Sequence, residues 1–181
     1  MSIALAESDL VNQTKELVSG RAKVETLPGQ FNEQIMAQML THAPAVYWSF
    51  MGGRRAQNRS RAIKVNWFAY IVTAHASGQQ ARRLGSKTQI GGYELTELVT
   101  GNNFETTSGQ LQLEAVENLY SGSFNKKGRL VYLIRYSVLM TFDRASIGFE
   151  PGEFLKFRND MDVNNDGHAD AQAHHDFDHD K

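Results

Sequence analysis

The longest regular pattern in the chain is an alternation of apolar and mixed positions over residues 128–142. Every second residue from Leu130 to Phe142 is apolar or aromatic, whereas the intervening positions include Arg135 and Ser137. Side chains of a strand point alternately to the two faces of a sheet, and this run has no helical face. The pattern predicts a long strand in an antiparallel sheet, with one face buried under helices and the other half-buried.

Three further segments carry strand signals. Residues 63–72 are apolar on both faces towards their end, which predicts a central strand, and residues 111–120 are predicted to pair with the long strand as a hairpin. The strand predicted at residues 45–50 directs three side chains inward: Val46, Trp48 and Phe50. A short extended segment at residues 23–27 precedes them.

Helical spacing of apolar residues predicts three helices, at residues 3–19, 31–41 and 88–100. Gly20, Pro44 and Gly101 are their predicted stops, since glycine favours a helix end and proline excludes helix from the residue before it. The elements do not alternate strictly between helix and strand, so a Rossmann-type fold is excluded. We predict an α+β fold: a single antiparallel or mixed sheet of four or five strands with helices on one face.

The composition indicates a soluble globular protein, and the charge is unevenly distributed. The 181 residues suffice for one domain with a core plus an appendage. No signal peptide is expected at the N-terminus, and the absence of cysteine excludes disulfides and thiolate chemistry. The net charge of −1 hides nine acidic and three basic residues in 150–181, against 11 acidic and 16 basic before them.

This asymmetry predicts a domain at residues 1–145 followed by an acidic, His-rich arm at residues 146–181. The arm has few apolar residues to bury, so it is expected to be extended and to depend on a partner for order.

Within the arm, residues 162–167 match the opening of a calcium loop. The candidate ligands are Asp162, Asn164, Asp166 and Asp170. Position 12 of such a loop, which should supply a bidentate carboxylate, is Ala173. An ordinary acidic turn and a weak divalent-ion site therefore both remain open, and no other cofactor is expected. The histidines and aspartates of residues 174–180 offer zinc or nickel ligands without any known catalytic spacing.

Four arginines lie in a polar segment between two predicted strands: Arg54, Arg55, Arg59 and Arg61. A solvated hairpin tip and a surface that meets an acidic partner chain are both open interpretations, with nucleic acid as a third. If identical copies of this chain assemble head to tail, the segregation of its charges predicts that these arginines meet an acidic surface of the next copy. The acidic side would be the arm, or Glu94 and Glu97 of the third predicted helix.

No motif in the chain indicates catalysis. The sequence lacks a phosphate-binding glycine loop of either common type, a G-x-S-x-G elbow and a prominent pair of carboxylates. An enzyme is therefore not expected.

Three segments together resemble a known family: PAVYWSFMGG at residues 44–53, VNWFAYIVTA at 65–74 and GGYELTELVTG at 91–101. With the first helix, the short strand before Leu27-Pro28 and the final hairpin, residues 3–145 resemble the tail terminator (tail completion) proteins of Mu-like phages and prophages. The resemblance implies a hexameric ring that caps the tail tube and joins it to the head–tail connector.

The same resemblance implies the location and the partners. The protein would lie in the tail or neck of the virion, after assembly in the host cytoplasm. Its partners would be copies of itself, the tail tube protein, the sheath protein and the connector, with DNA only passing through the lumen and no membrane. Two other function classes stay open: a metal-binding protein or metal-dependent enzyme using the C-terminal Asp/His cluster, and a nucleic-acid-binding module using the arginines.

Overall fold

In the computed structural model, residues 2–28, 42–56, 62–119 and 128–141 are described in full. For residues 156–161 and 171–176 the backbone alone is described. The chain divides into two compact units, Met1–Asp143 and Arg144–Lys181.

The elements of the first unit, in chain order, are α1 (Ile3–Val18), β1 (Lys23–Thr26), β2 (Ala45–Arg55), β3 (Ala62–Ala74), α2 (Gln79–Leu84), α3 (Gly92–Gly101), β4 (Glu105–Thr106), β5 (Gly109–Gln110), β6 (Gln112–Asn118) and β7 (Arg129–Thr141). The second unit contains β8 (Lys156–Met161) and β9 (Ala171–Asp176), which pair antiparallel.

Five strands of the first unit form one mixed sheet in the order β1-β2-β3-β7-β6. Strand β1 runs parallel to β2, and each of the other neighbouring pairs is antiparallel. The predicted α+β class is confirmed, and β3 is the central strand that its apolar pattern indicated.

Helices α1 and α3 pack on one face of this sheet. The β7 residues predicted for that face are buried in one core with both helices: Leu130, Tyr132, Ile134, Tyr136, Val138 and Met140. Helix α1 contributes every fourth residue to its buried side: Ala6, Leu10, Thr14 and Val18. Residues four apart share a helix face, so this spacing gives α1 a single buried stripe.

The opposite face, here called the non-helix face, has a smaller apolar core at one end of the sheet. Its buried members are Leu27, Ala45, Tyr47, Tyr70, Val72, Val131 and Leu133. Further along β3 and β7 the same face carries polar residues, among them Lys64, Arg135 and Ser137. This division explains why the second face of β7 looked mixed in the sequence.

Helix α3 begins at Gly92, four residues later than predicted. The reason is a close approach of two backbones, since a Cβ on Gly91 would lie 2.3 Å from the backbone nitrogen of Gly85. Glycine alone fits such a contact, and the helix can begin only after it. The short helix α2 and the hairpin β4–β5 were not predicted.

Strand β2 is longer than predicted, so the polar loop expected from Gly52 is shorter. A bulge between Phe50 and Gly53 shifts the register against β3, with Gly52 at a φ of 79°. The strand then continues to Arg54 and Arg55, which were wrongly placed in a loop.

Several predictions fall outside the described residues: the helix at 31–41, the positions of Arg59 and Arg61, and the candidate calcium ligands. In the arm, the pairing of β8 with β9 differs from the expectation of a purely extended segment. Strand pairing uses backbone groups that every non-proline residue carries, and a composition-based argument does not detect it. The functional division at residue 145 stays a prediction.

Replacing Trp67 by Ala should test the helix-side core. Its side chain is fully buried on β3, opposite Tyr136, and truncation of such a residue costs about 3–5 kcal/mol. Leu139→Ala is the control, because Leu139 lies nearby on β7 and is half-exposed; about 1 kcal/mol or less is expected. Chemical denaturation measures the free energy of unfolding of both variants. Equal losses of stability would contradict the burial of Trp67 in the helix-side core.

Thr14→Val should show how much one buried hydrogen bond contributes to the stability of the same core. The Trp48 indole N–H donates to Thr14 Oγ1 at 2.8 Å, and both residues are buried. Valine keeps the shape and removes the acceptor, which leaves a buried donor unpaired at a cost of about 1–3 kcal/mol. Thr14→Ser retains the hydroxyl and should lose less stability in the same denaturation measurement.

Candidate assembly surface

Strand β6 forms one edge of the five-stranded sheet, with β7 as its neighbour. A bulge between Leu113 and Ala115 leaves Leu113 opposite Tyr136 and Val116 opposite Ile134. Partners across a ladder share a face, so Leu113 and Val116 both point to the helix side. They are nevertheless 49% and 46% exposed, because α1 and α3 pack over the other strands.

Two carboxylates of β6 are held on the non-helix face by bases of the inner strands. Lys64 Nζ lies 2.7 Å from Glu114 Oε1, and the Ser137 hydroxyl donates to the same oxygen. Arg135 Nη2 lies 3.0 Å from Glu117 Oε2. The hydrogen bond from Lys64, followed by that from Ser137, holds the pKa of Glu114 below its usual value. The only charged residues of β6 are therefore two carboxylates, and each is oriented by a base from an inner strand.

The other edge of the sheet has the opposite character. Strand β1 pairs with only the first four residues of β2, Ala45–Trp48. Beyond them, the described part of the sheet pairs β2 with β3 alone, and this extension ends in the exposed Arg54 and Arg55. Lys23 lies on β1 itself, 2.8 Å from Glu25. The β1 edge thus carries one base paired with Glu25 and, beyond β1, two exposed arginines, whereas the charged residues of β6 are both acids.

Comparison with known proteins agrees with a phage origin. Residues 2–141 match the family described as Bacteriophage Mu, Gp37. The chain belongs to this Gp37 family. The predicted resemblance to a Mu-like phage protein is thereby confirmed at the level of the family.

One relative of the Gp37-family chain is the Mu-like prophage FluMu protein gp37 of Haemophilus influenzae. The two are 26% identical over 113 residues, which cover 61% of this chain and 55% of the relative. The chain therefore spans about half the length of the curated relative it matches.

The predicted interface residues of this Gp37 protein do not form one cluster. Arg54 and Arg55 are exposed at the end of β2, whereas Glu94 lies in the first turn of α3. Glu94 already has a partner within its own chain, Arg21, at 2.6 Å. Glu97 is exposed further along α3.

Sequence reasoning missed Glu114 and Glu117. The available signal was two acids within a predicted strand, but their orientation depends on the bulge and on bases from β3 and β7. The described part of the Gp37 chain contains no group of three or more His, Asp or Glu placed to hold a metal ion. It also contains no helix long and apolar enough to cross a membrane.

A second exposed patch lies beside α2 and α3. Leu84 is 60% exposed and Tyr93 42% exposed, and they line a shallow cavity together with Arg83. The Tyr93 ring lies 6.0 Å from that of Tyr132. Burial, and then the neighbouring Tyr93, raise the pKa of Tyr132 to about 12, so the Tyr132 phenol stays neutral at physiological pH.

Glu114→Gln should test how much the ion pair between Glu114 and Lys64 contributes to the stability of the fold. The folded pKa of Glu114 is lowered, so its charge stabilises the fold above the unfolded pKa, and this stability is lost as pH falls through the folded pKa. The pair is half-exposed, and the expected loss at pH 7 is below about 1 kcal/mol. The difference from wild type should vanish in acid, as followed by denaturation at pH 7 and pH 3. An equal difference in stability between the variant and the wild type at both pH values would contradict an electrostatic origin.

Proposed function

We propose that this chain is a structural phage virion protein, a tail terminator that forms a ring on the end of the tail tube. Membership of the Gp37 family supports a structural phage role. The ring would stop growth of the tube and offer a surface to the head–tail connector. The number of copies that the resemblance implies is six. The chain would act in the virion without catalysis.

The observation that carries the ring is the opposite charge of the two sheet edges. A head-to-tail contact needs two different, complementary patches on one chain, and such contacts close into rings when the rotation allows it. The β6 edge offers Glu114 and Glu117, and the β1 edge offers Lys23, Arg54 and Arg55. These patches lie on opposite sides of one rigid sheet.

Among the residues predicted for the interface, Arg54 and Arg55 with Arg59 and Arg61 remain our proposed basic side. Glu114 and Glu117 suit the acidic side better than Glu94, because they lie on the edge strand β6, whereas Glu94 lies on helix α3. Glu97 and the acidic arm stay as further candidates. Each exposed ion pair contributes only about 0–1 kcal/mol, so the charges set orientation and register more than affinity.

The tube protein and the connector would contact surfaces other than the subunit joint. The patch of Arg83, Leu84 and Tyr93 has the composition of a binding hot spot, since tyrosine and arginine dominate such sites. It lies on α2 and α3, which pack over β3 and β7, and it includes no residue of the edge strands β1 and β6. We propose it as one contact for these partners.

Light scattering on the full chain, alone and mixed with tail tube protein, tests the ring. A mass of about six copies, unchanged by EDTA, is expected. A chain that stays monomeric in both conditions contradicts the proposal. Dissociation by EDTA would favour a metal-binding protein, and retention on DNA with a steep salt dependence would favour a nucleic-acid-binding module.

Charge reversal tests the basic side. Arg54→Glu combined with Arg55→Glu should leave the monomer folded and weaken the ring, because both arginines are exposed. Lys15→Glu combined with Lys87→Glu changes the net charge equally at exposed positions that lie outside the strands of both edges. Wild-type assembly should also weaken as salt rises past about 0.15 M, where the screening length is about 8 Å. Equal assembly by both double variants at every salt concentration would exclude Arg54 and Arg55 from the interface.

A further inference from the structure

We propose that the joint between copies is a continuation of the β-sheet, in which β6 of one copy pairs antiparallel with β1 of the next. The inference rests on the proposed ring and specifies its contact. Within the described part of the sheet, β6 and β1 are the two strands with a single neighbour. An edge strand presents unpaired N–H and C=O groups and readily pairs with another chain.

The strand directions suit a ring. Strand β1 is parallel to β2, and the antiparallel pairs β2–β3, β3–β7 and β7–β6 make β6 run opposite to β1. Rotation about an axis along the strands preserves their direction. The β6 strand of one copy therefore meets the β1 strand of the next in antiparallel orientation, which is the slightly more stable pairing.

The backbone hydrogen bonds show which residues face outward on each edge. On β1, the N–H groups of Lys23 and Leu27 donate inward to Pro44 and Trp48. Since successive residues alternate, Val24 and Thr26 direct their N–H and C=O groups away from β2.

The outward-facing residues of β6 follow in the same way from its hydrogen bonds to β7. The N–H of Leu119 donates inward to the carbonyl oxygen of Val131. By alternation, Asn118 and Val116 direct their backbone groups away from β7.

Side-chain faces then restrict the register. Val24 pairs with Val46, and Val116 pairs with Ile134, so both valines lie on the helix side. Val116 can therefore stand opposite either Val24 or Thr26 of the next copy. The second choice places Glu117 opposite Glu25, and like charges directly opposite destabilise a sheet. The first places Glu117 opposite Lys23 and Val116 opposite Val24, and this is the register we propose.

The register also gives the exposed apolar residues of β6 a neighbour. On the helix side, α1 packs over β1 and β2, so the helix side of β6 would lie beside α1 of the next copy. Leu113 and Val116, about half-exposed in one copy, would lose water contact there. A second copy of this chain supplies all three partners that β6 needs. These are the free edge of β1, Lys23 opposite Glu117, and a helix beside Leu113 and Val116.

Paired cysteines test the register directly, since the chain has no cysteine of its own. Lys23→Cys combined with Glu117→Cys places the thiols on a directly opposed, non-hydrogen-bonded pair across the proposed joint. Within one chain, four strand spacings separate β1 from β6, about 19 Å, which is too far for a disulfide. Mild oxidation of the full-length variant should give a ladder of covalent multimers on a non-reducing gel, ending at the copy number of the ring.

Thr26→Cys combined with Glu117→Cys is the matched control. Thr26 pairs with Trp48 and Glu117 with Leu133, so the two positions lie on opposite faces, and no ladder is expected. A ring by light scattering without a ladder from the Lys23/Glu117 pair overturns the sheet continuation and leaves the proposed function standing. A chain that never assembles overturns both.

A second variant supports the same conclusion without oxidation. Val116→Lys places a charge on an exposed edge position, which blocks edge pairing and should abolish the ring while the monomer melts normally. Val116→Thr keeps the β-branched shape and should still assemble. Assembly by Val116→Lys at wild-type level would contradict the proposed joint.

Discussion

The buried contact of Trp48 with Tyr136 and Phe104 is the constraint on which the rest of the first unit depends. The Trp48 ring centroid lies 5.6 Å from that of Tyr136 and 5.2 Å from that of Phe104. Two of these aromatic residues also form a hydrogen bond to a helix: Trp48 donates to Thr14 of α1, and the Tyr136 hydroxyl donates to the Val99 carbonyl of α3 at 2.7 Å. Burial raises the pKa of Tyr136 and keeps it a donor. These bonds fix where both helices lie on the sheet.

That placement determines which part of the sheet the helices leave uncovered. Helices anchored over β2 and β7 cover the middle of the helix-side face and leave β6 uncovered on that side. Leu113 and Val116 therefore stay half-exposed although they point to the same side as the core residues of β7. An uncovered apolar edge is a hazard for a monomer and a suitable surface for a subunit of a larger assembly. We interpret it as the latter.

The charges around this edge act in a different way from the core. The core residues contribute stability through burial, whereas Lys64, Arg135 and their carboxylate partners remain half-exposed and contribute little to it. Their effect is to hold the β6 acids in a defined orientation. Such an arrangement favours one register of a neighbouring strand over another, which is a matter of specificity more than of affinity.

The α+β class, the central position of β3 and the two faces of β7 could be predicted from the sequence, because alternation along a strand follows from local geometry and burial. The end of α1 near Gly20 was readable for a similar local reason. The tertiary structure is needed to explain where α3 begins, since that depends on the contact between Gly85 and Gly91. It alone assigned Arg54 to a strand and aligned Glu114 with Lys64, because a bulge and residues distant in sequence set those positions. Long-range contacts of this kind leave no periodic trace in a single sequence.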